Sequence, residues 1–192
     1  MPRLKTNQSV CSVAKAIDLL GERWMLLLVR EVAFGTRRFD DFIANLGIAR
    51  NVLTDRLAKL VAAGVLEQQP LRSDGRRMGY RFTAMGEDLL PMLLGFMQWG
   101  DRWLQTPDSV PVLLLERATG KPLPRIRVRN DTGQELGLRD VDWAPGPGAG
   151  HPQVAPLVAA YEKQRLPRPV PSTLTEPAAK KVAQRNKKAP AP

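Results

Sequence analysis

Two short helical patterns meet across a tight glycine turn in the first half of this chain, and that junction restricts the folds open to it. In RRFDDFIANLGI (37–48) the apolar residues Phe39, Phe42, Ile43 and Leu46 recur at i, i+3, i+4 and i+7, which predicts a short helix with one apolar face. Gly47 stands where a left-handed residue would close it. A second helix is expected at once in RNVLTDRLAKLVAAG (50–64). At about 100° per residue, Leu53, Leu57, Leu60 and Val61 gather on one side, Asn51, Asp55, Ala58, Lys59 and Ala62 face away, and Thr54 and Arg56 flank them. The outer face is small and polar. A helix-turn-helix fits this arrangement, and so does a plain helical hairpin.

The residues that follow separate the two. GVLEQQPLRSDGRRMGYRFT predicts a strand at 65–71, a turn at 73–75 and a second strand around Tyr80 to Thr83. A β-hairpin directly after the second helix is the order of a winged helix. Its tip carries Arg72, Arg76 and Arg77, suited to phosphate or minor-groove contact if it is more than a solvated turn. Upstream, helices are expected from Cys11 to Leu20 (Val13, Ala14, Ile17, Leu20) and over 21–35 (Trp24, Leu27, Leu28, Val32), the second ended by Gly35. Downstream, TAMGEDLLPMLLGFMQWGDRWL (83–104) predicts a long helix with Thr83 as its N-cap. Its apolar surface exceeds what one helix of a small domain can hide, so Leu89, Leu93, Phe96, Met97, Trp99 and Trp103 are expected at a homodimer seam, with a core role as the alternative.

The net charge of +10 is unevenly placed. Residues 163–192 carry eight Lys or Arg against Glu176, leaving only about +3 elsewhere, so the overall charge says little about the folded part. That Pro-rich basic end reads as a disordered tail that is either solvated or a nonspecific polyanion contact. One cysteine in 192 residues provides no internal disulfide framework, which points to a reducing, cytoplasmic setting. The apolar run 89–99 is shorter than the roughly 18 residues needed to span a bilayer, and no membrane association is expected. The expected division is a reading and dimerisation domain over 1–106, a small β-rich extension over 107–143 and a Pro/Gly-rich linker with the tail over 144–192. In the extension, strands are expected at 112–116 and 125–129, with turns at TGKP and NDTG, as a small sheet on the long helix.

Taken together, CSVAKAIDLLGERWMLLLVREVAFGTRRFDDF, GIARNVLTDRLAKLVAAGVLEQ and RMGYRFTAMGEDLLPMLLGFMQWGDRW resemble the HxlR-type winged-helix transcriptional regulators, relatives of the MarR group, over about residues 8–106. The resemblance implies a homodimeric regulator that binds double-stranded operator DNA. It places Arg37 and Arg38 near the DNA backbone, Arg50, Asn51, Thr54, Asp55 and Arg56 in the major groove or on its phosphates with Lys59 nearby, and Arg72, Arg76 and Arg77 on the wing. Where the family often has Ser, this chain has Ala49, so that position supplies no side-chain cap. Cys11 matches the cysteine that senses oxidants or electrophiles in redox-responsive members; packing as a small apolar residue is its other role. Some members carry paired cysteines in a similar extension; here those turns hold neither Cys nor His, and no metal or cofactor is implied.

Catalysis is not expected. His151 lies in the linker, there is no Gly-rich phosphate loop, and Asp40 and Asp41 are adjacent, so their side chains diverge. An alternative regulator of the same fold would hold a small aromatic or quinone-like effector among Trp24, Phe96, Trp99 and Trp103, if these are not core.

Overall fold

The computed structural model describes residues 11–71 and 77–164. Arg72 and Arg76 of the wing tip, and the basic tail beyond Gln164, lie outside the described residues. The chain divides after Ala144 into two units.

In the first unit, helices α1 (Ser12–Leu20), α2 (Met25–Ala33), α3 (Phe39–Leu46) and α4 (Arg50–Ala62) precede strands β1 (Leu66–Pro70) and β2 (Met78–Phe82) and helices α5 (Ala84–Glu87) and α6 (Leu90–Trp103). The core is built where the apolar periods of these elements coincide. Met25, Leu28, Val29 and Val32 of α2 meet Phe42 of α3, Leu53, Leu57 and Leu60 of α4, Val65, Leu66 and Leu93, all buried. The expected inner face of α4 is therefore observed, with Val61 half-buried at its edge. In α2 the inner face is wider than Leu28 and Val32, because Met25 and Val29 complete a stripe that packs against both α4 and α6.

The wing is a two-stranded antiparallel hairpin in the register Leu66↔Phe82, Gln68↔Tyr80 and Pro70↔Met78. Its second strand starts two residues earlier than the alternation indicated and ends before Thr83, which turns to cap α5: the Thr83 side chain accepts a hydrogen bond from the Gly86 N–H at 3.2 Å. Tyr80 meets Phe42 edge-on at 6.1 Å between ring centroids, joining the hairpin to α3. Gly86 is required by a close approach, since a Cβ there would stand 2.2 Å from the Val65 carbonyl oxygen.

Two expectations are corrected. The helix expected over 83–104 is broken at Asp88–Leu89, because Pro91, at the first turn of α6, lacks the N–H that would continue α5. The strands expected in the extension do not form as a sheet. The turns fall at the expected signals, with Gly120 and Gly133 at positive φ, but each carries only an isolated antiparallel bridge, Leu115↔Pro122 and Arg129↔Glu135. Pro111, Pro122 and Pro124 remove ladder donors from the first of these ribbons. The segment is held instead by Gln98 of α6, whose side-chain amide donates to the Pro124 carbonyl at 3.0 Å and accepts from the Ile126 N–H at 2.7 Å.

In the second unit, α7 (Ala155–Gln164) is helical where the composition pointed to linker; Ala, Leu, Glu, Lys and Gln are all good helix formers. No helix of the described residues is long and apolar enough to cross a membrane.

Candidate nucleic-acid interface

The junction between α3 and α4 is three residues, Gly47, Ile48 and Ala49. Gly47 adopts a left-handed conformation (φ 62°) and its N–H bonds to the Ile43 carbonyl at 2.9 Å, as the closing glycine of a helix should. Ile48 is 2% exposed and anchors the turn in the core. Ala49 leaves the first turn of α4 without a side-chain cap, as its side chain dictates.

Outward from this anchor, Arg50, Asn51, Thr54, Asp55, Ala58 and Lys59 are exposed and Arg56 is half-buried. They divide into two groups. Arg50, Asn51 and Thr54 form the open end. Arg50 lies over the Phe39 ring at 5.2 Å and reaches Asp40 at 3.1 Å, both side chains being 69% exposed, so this pair exchanges readily for another anion. The Thr54 hydroxyl donates to the Arg50 carbonyl at 2.9 Å. Asp55, Arg56 and Lys59 form a closed group around Glu22 from the α1–α2 turn. Arg56 binds Glu22 at 2.5 Å and also pairs with Asp55, while Lys59 binds Glu22 at 3.0 Å and Asp55 at 3.2 Å. The hydrogen bond from Lys59 holds both the Glu22 and Asp55 carboxyls below their ordinary range, and those two carboxylates hold the Lys59 ammonium above its own. The Arg56 Nε is enclosed here, and the pairs to Glu22 and Asp55 hold the half-buried side chain against the fold.

Arg37 also turns inward. Its guanidinium donates to the Val32 carbonyl at 2.6 Å and to the Thr36 carbonyl at 3.1 Å, while its own carbonyl accepts from the Tyr80 N–H at 2.9 Å. It ties the end of α2 to the wing. Buried Gly79 is required beside it, since a Cβ there would lie 3.2 Å from the Arg37 oxygen and closer still to Leu71. Arg38 and Arg77 are exposed at the start of α3 and the base of the wing.

Glu31, absent from the sequence expectations, joins α2 to α3. It is 7% exposed, and its carboxylate accepts from Arg30 at 2.8 Å, Thr36 at 2.9 Å and Asn45 at 2.7 Å. Burial raises its pKa, but the bonds from Arg30, Asn45 and Thr36 outweigh burial and leave it lowered. A carboxylate between Arg30 and Val32 in an apolar helix was the available signal; Glu22 and Asn45 carried none.

Leu93 of α6 is buried in the chain's own core, and Met97 of α6 and Leu89 just before it are half-buried against that core. Phe96, Trp99 and Trp103 are 59%, 54% and 63% exposed, and Met92 extends their row by one turn. Cys11 is exposed at the N-cap of α1, where its carbonyl accepts from the Lys15 N–H. Among the described residues, two grooves that run along α6 have no lining from Trp24, Phe96, Trp99 or Trp103. Of the four aromatics considered for an effector, Trp24 packs against the core while Phe96, Trp99 and Trp103 are exposed on α6.

The HxlR-like helix-turn-helix family pattern matches residues 19–108. The helix-turn-helix-type transcriptional regulator Rv3095 of Mycobacterium tuberculosis is 41% identical over 137 residues, covering 71% of this chain and 87% of that protein. Among solved structures, the candidate transcription factor PA1607 is 38% identical with a TM-score of 0.68, over 73% of this chain and 98% of its own. PA1374 from Pseudomonas aeruginosa, also a candidate transcription factor, is 36% identical with a TM-score of 0.52, over 76% and 99%. Joined to a winged helix-turn-helix with an open, polar second helix, these similarities establish that the chain belongs to the HxlR-like helix-turn-helix transcriptional regulators.

Proposed function

We propose that the protein is a sequence-specific DNA reader that works as a homodimer, with α4 entering the major groove and the wing resting on flanking backbone or the minor groove. The observation that carries this reading is the open end of α4: Arg50, Asn51 and Thr54 face outward on a helix whose opposite face is locked by Leu53, Leu57 and Leu60. Arginine and asparagine are the side chains that pair bidentately with guanine and adenine edges. Arg38 and Arg77 supply phosphate contacts, whereas Arg37, Asp55, Arg56 and Lys59 position α4 and the wing rather than read bases. Homodimerisation is supported by Met92, Phe96, Trp99 and Trp103, spaced i, i+4, i+7 and i+11 in one exposed row.

Fluorescence anisotropy on DNA from the protein's own upstream region, with excess nonspecific competitor, tests the reading. Asn51→Ala and Arg50→Ala are expected to relax base preference, each at a cost of about 1–3 kcal/mol on the preferred site. Unchanged preference in both variants would place the reading surface elsewhere. Trp99→Glu is expected to give a monomer in sedimentation; a dimer that survives it would move the seam off α6.

A second reading concerns control. The exposed thiol of Cys11 at a helix N-terminus supports oxidant sensing through an intersubunit or mixed disulfide. A mild thiol oxidant should then change DNA affinity in the wild type and leave Cys11→Ser unaffected; equal responses would return Cys11 to a passive role.

A further inference from the structure

The larger of the two grooves along α6 does not involve Cys11 and has a composition of its own. It occupies about 480 Å³ and is walled by Phe34, Met97, Leu104, Pro111 and Val112, with Arg30, Glu31, Gly100, Asp101 and Gln105 completing it. A volume in this range suits a small molecule. Phe34, Leu104 and Val112 remain 47%, 69% and 45% exposed along it, so much of its apolar wall is unfilled. Asp101 borders this groove and the neighbouring one, and its carboxylate has no hydrogen-bond or ion-pair partner among the described residues. Arg30, the one cation of the wall, is already joined to Glu31. The wall of this groove thus offers apolar surface with one carboxylate in excess, while Arg102 and Arg125 line the neighbouring groove that Asp101 also borders.

We propose that this groove binds a small organic cation with an apolar body, its charged group on Asp101 and its body along Phe34, Met97 and Leu104. Glu31 gives the site a route to the DNA-facing helices. The same carboxylate that stands in the wall accepts from Thr36 in the turn before α3 and from Asn45 on α3. A cation in the groove draws on Glu31 and weakens those two bonds, which loosens α3 and lowers DNA affinity. This regulatory half rests on the DNA-reading function proposed above; cation binding does not.

The test uses the full chain and a defined probe, 4-phenylbutylammonium, beside its neutral counterpart 4-phenylbutan-1-ol, in titration calorimetry at neutral pH. The ammonium should bind about tenfold more tightly than the alcohol, and Asp101→Asn should remove that difference. Gly100 lines the groove and a Cβ there meets no atom within 4 Å, so Gly100→Leu, with an unchanged unfolding midpoint as the control for its fold, should abolish binding of both probes. Equal affinity for ammonium and alcohol, unchanged ammonium binding in Asp101→Asn, or no heat at millimolar probe would each overturn the site. In the anisotropy assay the ammonium should weaken specific DNA binding by the wild type and not by Gly100→Leu; binding of the probe with no effect on DNA would overturn the coupling through Glu31. Failure of specific DNA binding with intact calorimetry would count against the DNA-reading function and leave the site standing.

Discussion

The helix pair α3–α4 and the extension that follows α6 spend their apolar residues in opposite ways. In the pair, Phe42, Ile48, Leu53, Leu57 and Leu60 are each 2% exposed or less. In the extension, Leu113, Val128 and Leu138 are 71%, 62% and 93% exposed, and order comes from turns, two bridges and the Gln98 clamp. The first region is held by removing apolar surface from water, the second by directional bonds to a helix already in place.

The sharpest way to break this contrast is to remove one leucine from each side. Leu57→Ala should cost about 2–5 kcal/mol in urea unfolding, because it leaves a cavity in a packed core. Leu138→Ala should stay within about 0.5 kcal/mol, and a comparable loss in both would show that the extension shares the core. Next in size is the polar joint inside the packed half. Glu31→Gln should cost about 1–3 kcal/mol, since the amide cannot accept from Arg30, Thr36 and Asn45 together.

Acid sharpens the same point. Glu31, Glu22 and Asp55 have lowered pKa values in the fold, so the unfolded chain binds more protons as pH falls. Their contribution is present at neutral pH and is lost as pH drops from the ordinary values, 4.5 for the two glutamates and 3.8 for Asp55, through the lower folded values. Urea midpoints measured across that window should fall less steeply in Glu31→Gln than in the wild type. A smaller and more local effect is expected from Gln98→Ala. Amide exchange should quicken around residues 122–126 while the global unfolding midpoint moves by no more than about 1 kcal/mol. Smallest of all for stability is Arg38→Ala, which should leave unfolding unchanged and reduce the salt slope of DNA binding by about 0.9.

The same contrast explains what could be read in the sequence. α3, α4 and the hairpin were legible because burial against one core imposes a helical or twofold period, and Gly47 and Thr83 act within a turn of their own position. The inward roles of Arg56 and Lys59 were not, because their partner Glu22 lies more than thirty residues away on a turn with no period of its own. The bonds from Arg37 to the Val32 and Thr36 carbonyls were hidden for a related reason: a surface arginine and one that caps a helix end have the same local sequence. Pro91 did carry a signal for the break before α6, and its fixed backbone outweighed a continuous apolar pattern. In the extension, alternation at 125–129 indicated strands, but a strand needs a neighbour with free donors, and a proline-rich ribbon lacks them.

The brevity of the turn at Gly47, Ile48 and Ala49 has a further consequence. Ile48, sealed in the core, anchors the junction of α3 and α4, while the bond from Asn45 to Glu31 ties α3 to α2. In the proposed homodimer, a signal that leaves the Asn45–Glu31 bond intact would change the distance and angle between the two reading heads and keep the shape of each, whereas one that breaks it, as proposed for the groove along α6, would alter the head itself. The two cases would differ in what they change: the first shifts only the tolerated separation between half-sites, and the second lowers the affinity for each half-site.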